Sequence, residues 1–194
     1  FGTEEEWEPL RRLAACIEAD DTTFTQQIGQ LVNMSNLVDN WLFFQAIGGF
    51  DNSNKNVYYA ARNENGDYRG YFIPWDLNIS FGAVYADNKY YAEETLEETG
   101  TQVQFEPGCR AIALDADHAR ALAKEKWEDW KEKAFTDEAL LERAQHLQQE
   151  LTGSGAMARE MERWPGGNAS TDLSLLTEFT KQRMAYMDSM IDGL

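Results

Sequence analysis

The 194-residue chain is short of positive charge, with 17 Lys and Arg against 34 Asp and Glu and a formal charge of −17. Binding to nucleic acid through phosphate neutralisation needs the opposite balance, and so does docking on anionic lipid. Cysteine is scarce as well, limited to Cys16 and Cys109. Two cysteines make no disulfide framework, and neither sits in a Cys-x-x-Cys pair, so two buried thiols or a single bridge are the alternatives. No apolar run approaches the roughly 18 residues that a membrane-spanning helix requires. The two histidines, His118 and His146, fall on helical segments with no acid or thiol in ligand spacing. They read as ordinary surface or half-buried residues, which argues against zinc hydrolysis and Ser-His catalysis. Gly-x-x-x-x-Gly-Lys-Ser/Thr, Gly-x-Gly-x-x-Gly, His-Glu-x-x-His and Gly-x-Ser-x-Gly are all absent, which removes the common phosphate-loop, dinucleotide, metalloprotease and hydrolase signatures. The opening Phe1-Gly2-Thr3-Glu4-Glu5-Glu6 has neither an initiator Met nor a basic, apolar leader and reads as a cut inside a longer chain.

What the chain does have is apolar surface to bury. Hydrophobic residues make up 43% and aromatics 12%, with six Trp, enough for one globular domain over residues 1–194. Trp7, Leu10, Leu13 and Ile17 recur at helical spacing, and Asp20-Asp21-Thr22-Thr23 supplies the start of a second helix through Ile28 and Leu31. Leu37, Val38, Trp41, Leu42, Phe44, Ala46 and Ile47 cover most sides of a third helix, which predicts its burial; Gly48-Gly49 ends it. After a polar loop, Val57–Ala61 and Arg69–Ile73 read as strands joined across Asn65-Gly66, a hairpin signal. Residues 83–110 read as an irregular acidic stretch, and helices are expected at about 115–134, 137–151, 156–164 and 172–192. The expected class is therefore α+β, mostly helical, with one β-hairpin.

The remaining chemistry lies on loops. Asp51 and Asn56 form Asp-x-x-x-x-Asn, the spacing at which a protein-kinase loop presents a base for the acceptor hydroxyl and an amide oxygen for magnesium. Alone this means little, since 14 Asp and 11 Asn in the chain produce such a pair about once by chance. Its context says more: Asn56 leads into strand, tight turn and strand, and then Asp76. A hairpin returns the chain to its start, so Asp76 can share a cation with Asn56 across 20 residues of sequence. Asn78 can add an oxygen on the same side of an extended segment. Phosphoryl transfer needs such a group of oxygen ligands beside a base.

The stretch from Asn40 to Gly82, with Phe50-Asp51, Asn56-Val57-Tyr58-Tyr59 and Tyr71-Phe72-Ile73-Pro74-Trp75-Asp76-Leu77-Asn78, resembles the CotH (spore coat protein H) kinase family. Arg163-Trp164 and a last helix carrying Arg183 look like the family's C-terminal part. The resemblance implies the C-terminal lobe of an atypical protein-kinase fold whose hairpin carries the metal-site residues. It also implies transfer of phosphoryl from ATP to Ser/Thr of a partner protein with a divalent cation such as Mg2+. Carried over by position, Asp51 is the catalytic aspartate, and Asn56 and Asp76 hold the metal and through it the nucleotide. Export to a surface or spore-coat assembly is implied in the same way. Two departures stand out: Asn78 replaces a frequent second Asp, pointing to a weaker or single-ion site, and no lysine precedes Lys55 to serve a nucleotide clamp. This chain alone then corresponds to the later, catalytic part of the kinase domain, inactive by itself. The charge of residues 83–110, six acids against Lys89 and Arg110, favours a basic Ser/Thr substrate in the place of an activation segment. Alternatives are a non-catalytic scaffold that kept the fold, and carbohydrate stacking on Trp75, Tyr85, Tyr90 and Tyr91.

Overall fold

The computed structural model describes residues 3–52, 55–82, 92–93, 107–167 and 170–194. Three helices open it: α1 (Glu4–Glu18), α2 (Asp21–Leu31) and α3 (Met34–Ile47). Each begins where a side chain can take up orphan backbone donors. Thr3 and Glu6 form a capping box, Asp20 Oδ1 accepts from Thr23 N at 2.9 Å, and Asn33 Oδ1 accepts from Asn36 N at 2.9 Å. A 3-10 turn (Phe50–Asn52) leads to the hairpin β1 (Val57–Glu64) and β2 (Asp67–Pro74). Then follow α4 (Pro107–Leu114), α5 (Ala119–Lys133), α6 (Asp137–Gly153), α7 (Ala156–Arg163) and α8 (Ser174–Asp192). The class is α+β, with a two-stranded antiparallel sheet set among helices.

The hairpin pairs from Val57↔Pro74 to Glu64↔Asp67, a longer ladder than the expected strands, across a two-residue turn in which Asn65 and Gly66 both have positive φ. Helix α3 stands where a third strand would. Asn36 Oδ1 accepts from Phe72 N at 2.7 Å, and Asn36 and Asn40 both donate to Phe72 O, at 3.2 and 3.0 Å. Two side-chain amides thus satisfy Phe72 on the outer edge of β2, beside Gly70 O, which accepts from Asn33 N at 2.9 Å.

One large cluster joins Leu13, Phe24, Ile28, Leu37, Trp41, Trp127 and Met187 across α1, α2, α3, α5 and α8. Cys16 and Cys109 are free, buried thiols within it; burial pushes the Cys16 thiol up, against the pull of nearby Arg110. Helix α3 is buried along most of its length, as its sequence predicts. Helices α6 and α7 bury no side chain fully and form an outer layer.

Two expectations need correction. The helix expected over 115–134 starts only at Ala119, because Asp115, Asp117 and His118 adopt left-handed conformations and break the chain from α4. The Asp117 side chain lies against Gly29, where a Cβ would come within 2.5 Å of its carboxylate, so the turn fits onto α2 at that position. Arg120 closes the end of α4 by donating to Ile112 O at 2.8 Å and Ala113 O at 2.7 Å. The acidic stretch expected to be irregular over 83–110 already turns helical at Pro107. Its Arg110 reaches out of that stretch to other helices. It donates to Ile17 O and Ala19 O at 2.8 Å, pairs with Asp21 at 2.7 Å and lies over the Phe24 ring, holding the α1–α2 corner. Most of the expected activation segment, 83–91 and 94–106, lies outside the described residues.

Candidate active site

Helix α3 ends at Gly48, which is left-handed at φ 62° and faces the Phe179 ring of α8 so closely that a Cβ would stand 2.7 Å from it. The chain then tightens: Gly49 N donates to Phe44 O at 2.8 Å and Asn52 N to Gly49 O at 2.9 Å. Phe50 and Phe44 form a small cluster with Phe43, Val57 and Leu77. That anchor leaves the next residue, Asp51, with its side chain about 15% exposed.

Among the described residues, the Asp51 carboxylate meets Asn56 and Lys55. Oδ2 accepts from Asn56 Nδ2 at 2.8 Å, and Oδ1 pairs with Lys55 Nζ at 2.9 Å. Asn56 is left-handed at φ 57°, a conformation that Asn tolerates. Its backbone carbonyl accepts from Trp75 N at 2.8 Å, so the residue before Asp76 is tied directly to Asn56. Asp76 is itself left-handed, at φ 52°, and exposed. Asn78 follows two residues later, also exposed. Phe81 N then donates to Ile47 O at 2.7 Å, returning the chain to the end of α3.

The arrangement therefore brings Asp51 and Asn56 into contact and ties Trp75, the residue before Asp76, to Asn56 through a backbone hydrogen bond. Asn78 lies on the turn beyond. Among the described residues, no three or more His, Cys, Asp or Glu side chains gather as a metal cluster. One amide and one carboxylate are both oxygen donors, and their chemistry fits a hard cation. Asn56 spends its nitrogen on Asp51, so its carbonyl oxygen is the atom left for a ligand.

No pattern in the sequence singles out Asn52. It is fully buried, and its Nδ2 donates to Asn56 O at 3.0 Å and to Trp75 O at 2.7 Å. An Asn beside an Asp in a polar loop carries no pattern that separates it from its neighbours. Arg183, noted in sequence only as part of the last helix, is also fully buried; it donates to Gln45 O at 2.6 Å and Ala92 O at 3.2 Å. It joins α8 to the end of α3 and to the segment after the site. Of the aromatics considered for sugar stacking, Trp75 is exposed and meets exposed Tyr58 edge-on, with ring centroids 5.3 Å apart. Tyr85, Tyr90 and Tyr91 lie outside the described residues. His118 and His146 are both exposed.

No curated protein and no solved structure matches the chain. The family model described as CotH kinase protein matches residues 1–187. That match takes in the α3 terminus, the Asp51 turn, the hairpin and most of α8, and the chain belongs to the CotH kinase family.

Proposed function

We propose that this chain is the catalytic part of a protein kinase that transfers the γ-phosphoryl group of ATP to a Ser or Thr hydroxyl of a partner protein. The observation that carries the reading is the double hold on Asn56. Its side chain is bound to the Asp51 carboxylate, and its backbone to the segment that bears Asp76. Asp51 is the base: it takes the proton of the acceptor hydroxyl as that oxygen bonds to phosphorus and the bond to the departing ADP oxygen breaks. Asn56 orients the carboxylate by donating to one of its oxygens. Lys55, half exposed, offsets its charge from the solvent side. Asn56 and Asp76, with Asn78 as a further oxygen, are the residues that would hold a divalent cation, Mg2+ by the family's habit. When bound, the cation supplies neutralisation of the phosphate charge. The acidity of the chain supports a basic acceptor protein, drawn in by opposite charge and released by salt.

Replacing Asp51 with Asn in the full-length protein tests the reading. The amide keeps the shape and cannot take a proton, so phosphorylation with ATP and Mg2+ should fall about 10²–10⁴-fold with the melting temperature unchanged. Wild-type activity in that variant would remove Asp51 as the base. A collapse in melting temperature would instead make it a structural cap and favour a non-catalytic scaffold. Asp76→Asn should act otherwise, raising the Mg2+ concentration needed for half-maximal rate, because a neutral oxygen holds a hard cation less well.

A further inference from the structure

Asn52 lies between the base and the two groups proposed to hold the cation, yet its own side chain reaches neither. It is fully buried. The same 3-10 turn that presents Asp51 fixes its backbone, through Asn52 N to Gly49 O at 2.9 Å. An amide NH2 has two protons, and two acceptors stand before it: Asn56 O at 3.0 Å and Trp75 O at 2.7 Å. The first belongs to one proposed ligand and the second to the residue preceding the other. Both flanking positions are left-handed, Asn56 at φ 57° and Asp76 at φ 52°, conformations that need an outside hold to persist.

The other end of the Asn52 side chain points to the same role. Among the described residues, its Oδ1 is buried without a hydrogen-bond partner. An acceptor stripped of water and left unpaired lowers stability. An apolar side chain would fill the volume without that penalty, but it would also leave the two carbonyls with no shared donor.

We infer that Asn52 is a positioning residue that sets the spacing of Asn56 and Asp76 for one divalent cation; the inference rests on the metal role proposed for those two residues. Second-sphere hydrogen bonds of this kind orient ligands, and their loss typically weakens metal affinity by about 10–100-fold. Asn52 touches no reacting atom, so its effect belongs in metal affinity.

The test is a titration of the 194-residue chain with MnCl2 alone. It is read as paramagnetic broadening of the Trp75 signal in 5-fluorotryptophan-labelled protein, assigned through Trp75→Phe. Asn52→Leu removes both donated bonds and the orphan acceptor, and should weaken Mn2+ binding about tenfold. Asn52→Ser keeps one donor, covers the case in which the leucine variant does not fold, and should fall between. Trp127→Phe removes a buried bond to Asp188 in the main core; it should lower the melting temperature and leave the Mn2+ titration unchanged. Wild-type affinity in folded Asn52→Leu and Asn52→Ser would overturn the positioning role and leave the metal reading standing. Equal weakening by Trp127→Phe would also overturn it, as an effect of stability alone. If wild type shows no Mn2+ broadening, or Asp76→Asn binds as tightly, the metal reading falls and the positioning role with it.

Discussion

In the main core, Phe24, Ile28, Leu37, Trp127 and Met187 meet as fully buried side chains from α2, α3, α5 and α8. Around Asp51, among the described residues, Phe44 and Phe50 form a small buried apolar pair, and shape comes from hydrogen bonds to backbone carbonyls at Gly49, Asn56, Trp75 and Ile47. The core has its helices in ordinary conformations, while the corner from Gly48 to Gly82 holds Gly48, Asn56, Asp76, Phe81 and Gly82 at positive φ. Phe81 at φ 52° is the costly one, since a bulky side chain rarely adopts that region. The contrast separates two jobs. Apolar burial stabilises without fixing polar atoms to a fraction of an ångström, whereas directional bonds to single carbonyls place a carboxylate and an amide at a set spacing.

Trp41→Ala should break the core side of this comparison hardest. The ring is 3% exposed and its Nε1 has no partner, so truncation leaves a cavity without losing a hydrogen bond. Denaturant unfolding should show a loss of about 3–5 kcal/mol, with activity falling only as the protein unfolds. Gly48→Ala comes next, at the seam of the two regions. It forces a Cβ into a left-handed position and against Phe179, which should cost roughly 1–3 kcal/mol by the same measurement. Unchanged stability would show that the α3 terminus gives way easily and that the corner is not rigidly hung on α8. The smallest effect belongs to Asp20→Ala at the start of α2. Thr23, through its N–H and hydroxyl, holds the exposed Asp20 carboxyl below its usual range. A group with its folded value lowered contributes above its ordinary value and loses that contribution as pH falls through the folded one. The difference in melting temperature between wild type and Asp20→Ala should be present at neutral pH and vanish in strong acid; a gap independent of pH would assign the cap to shape alone.

Much of the fold was readable from spacing. The helical recurrence of Leu13 and Ile17, the apolar wrap of α3 and the Asn65-Gly66 turn each follow from local rules that need no distant partner. The 115–134 helix failed because its break is set from outside: Asp117 fits the bare backbone of Gly29, 88 residues upstream in sequence but adjacent in space. Charge counting within a segment likewise cannot see that Arg110 finds partners on the α1–α2 corner. The site was partly readable. The residues of the Asp51–Asn56 pair and the hairpin that returns to Asp76 are visible in order and spacing, whereas Asn52 and Arg183 were invisible as supports because each acts on carbonyls, which every residue carries.

Sequence by itself determined the helices, the hairpin, the acidic surface and the identity of the oxygen-bearing residues, because propensity, capping and periodicity act over a few neighbouring positions. Tertiary structure decided where those oxygens stand. The Asn36 and Asn40 amides on the β2 edge, the bond from Phe81 to Ile47 and the two carbonyls gathered by Asn52 all join residues far apart in the chain or lodged in an irregular turn. A hydrogen bond depends on distances within a few tenths of an ångström, and only the packed chain sets distances that fine.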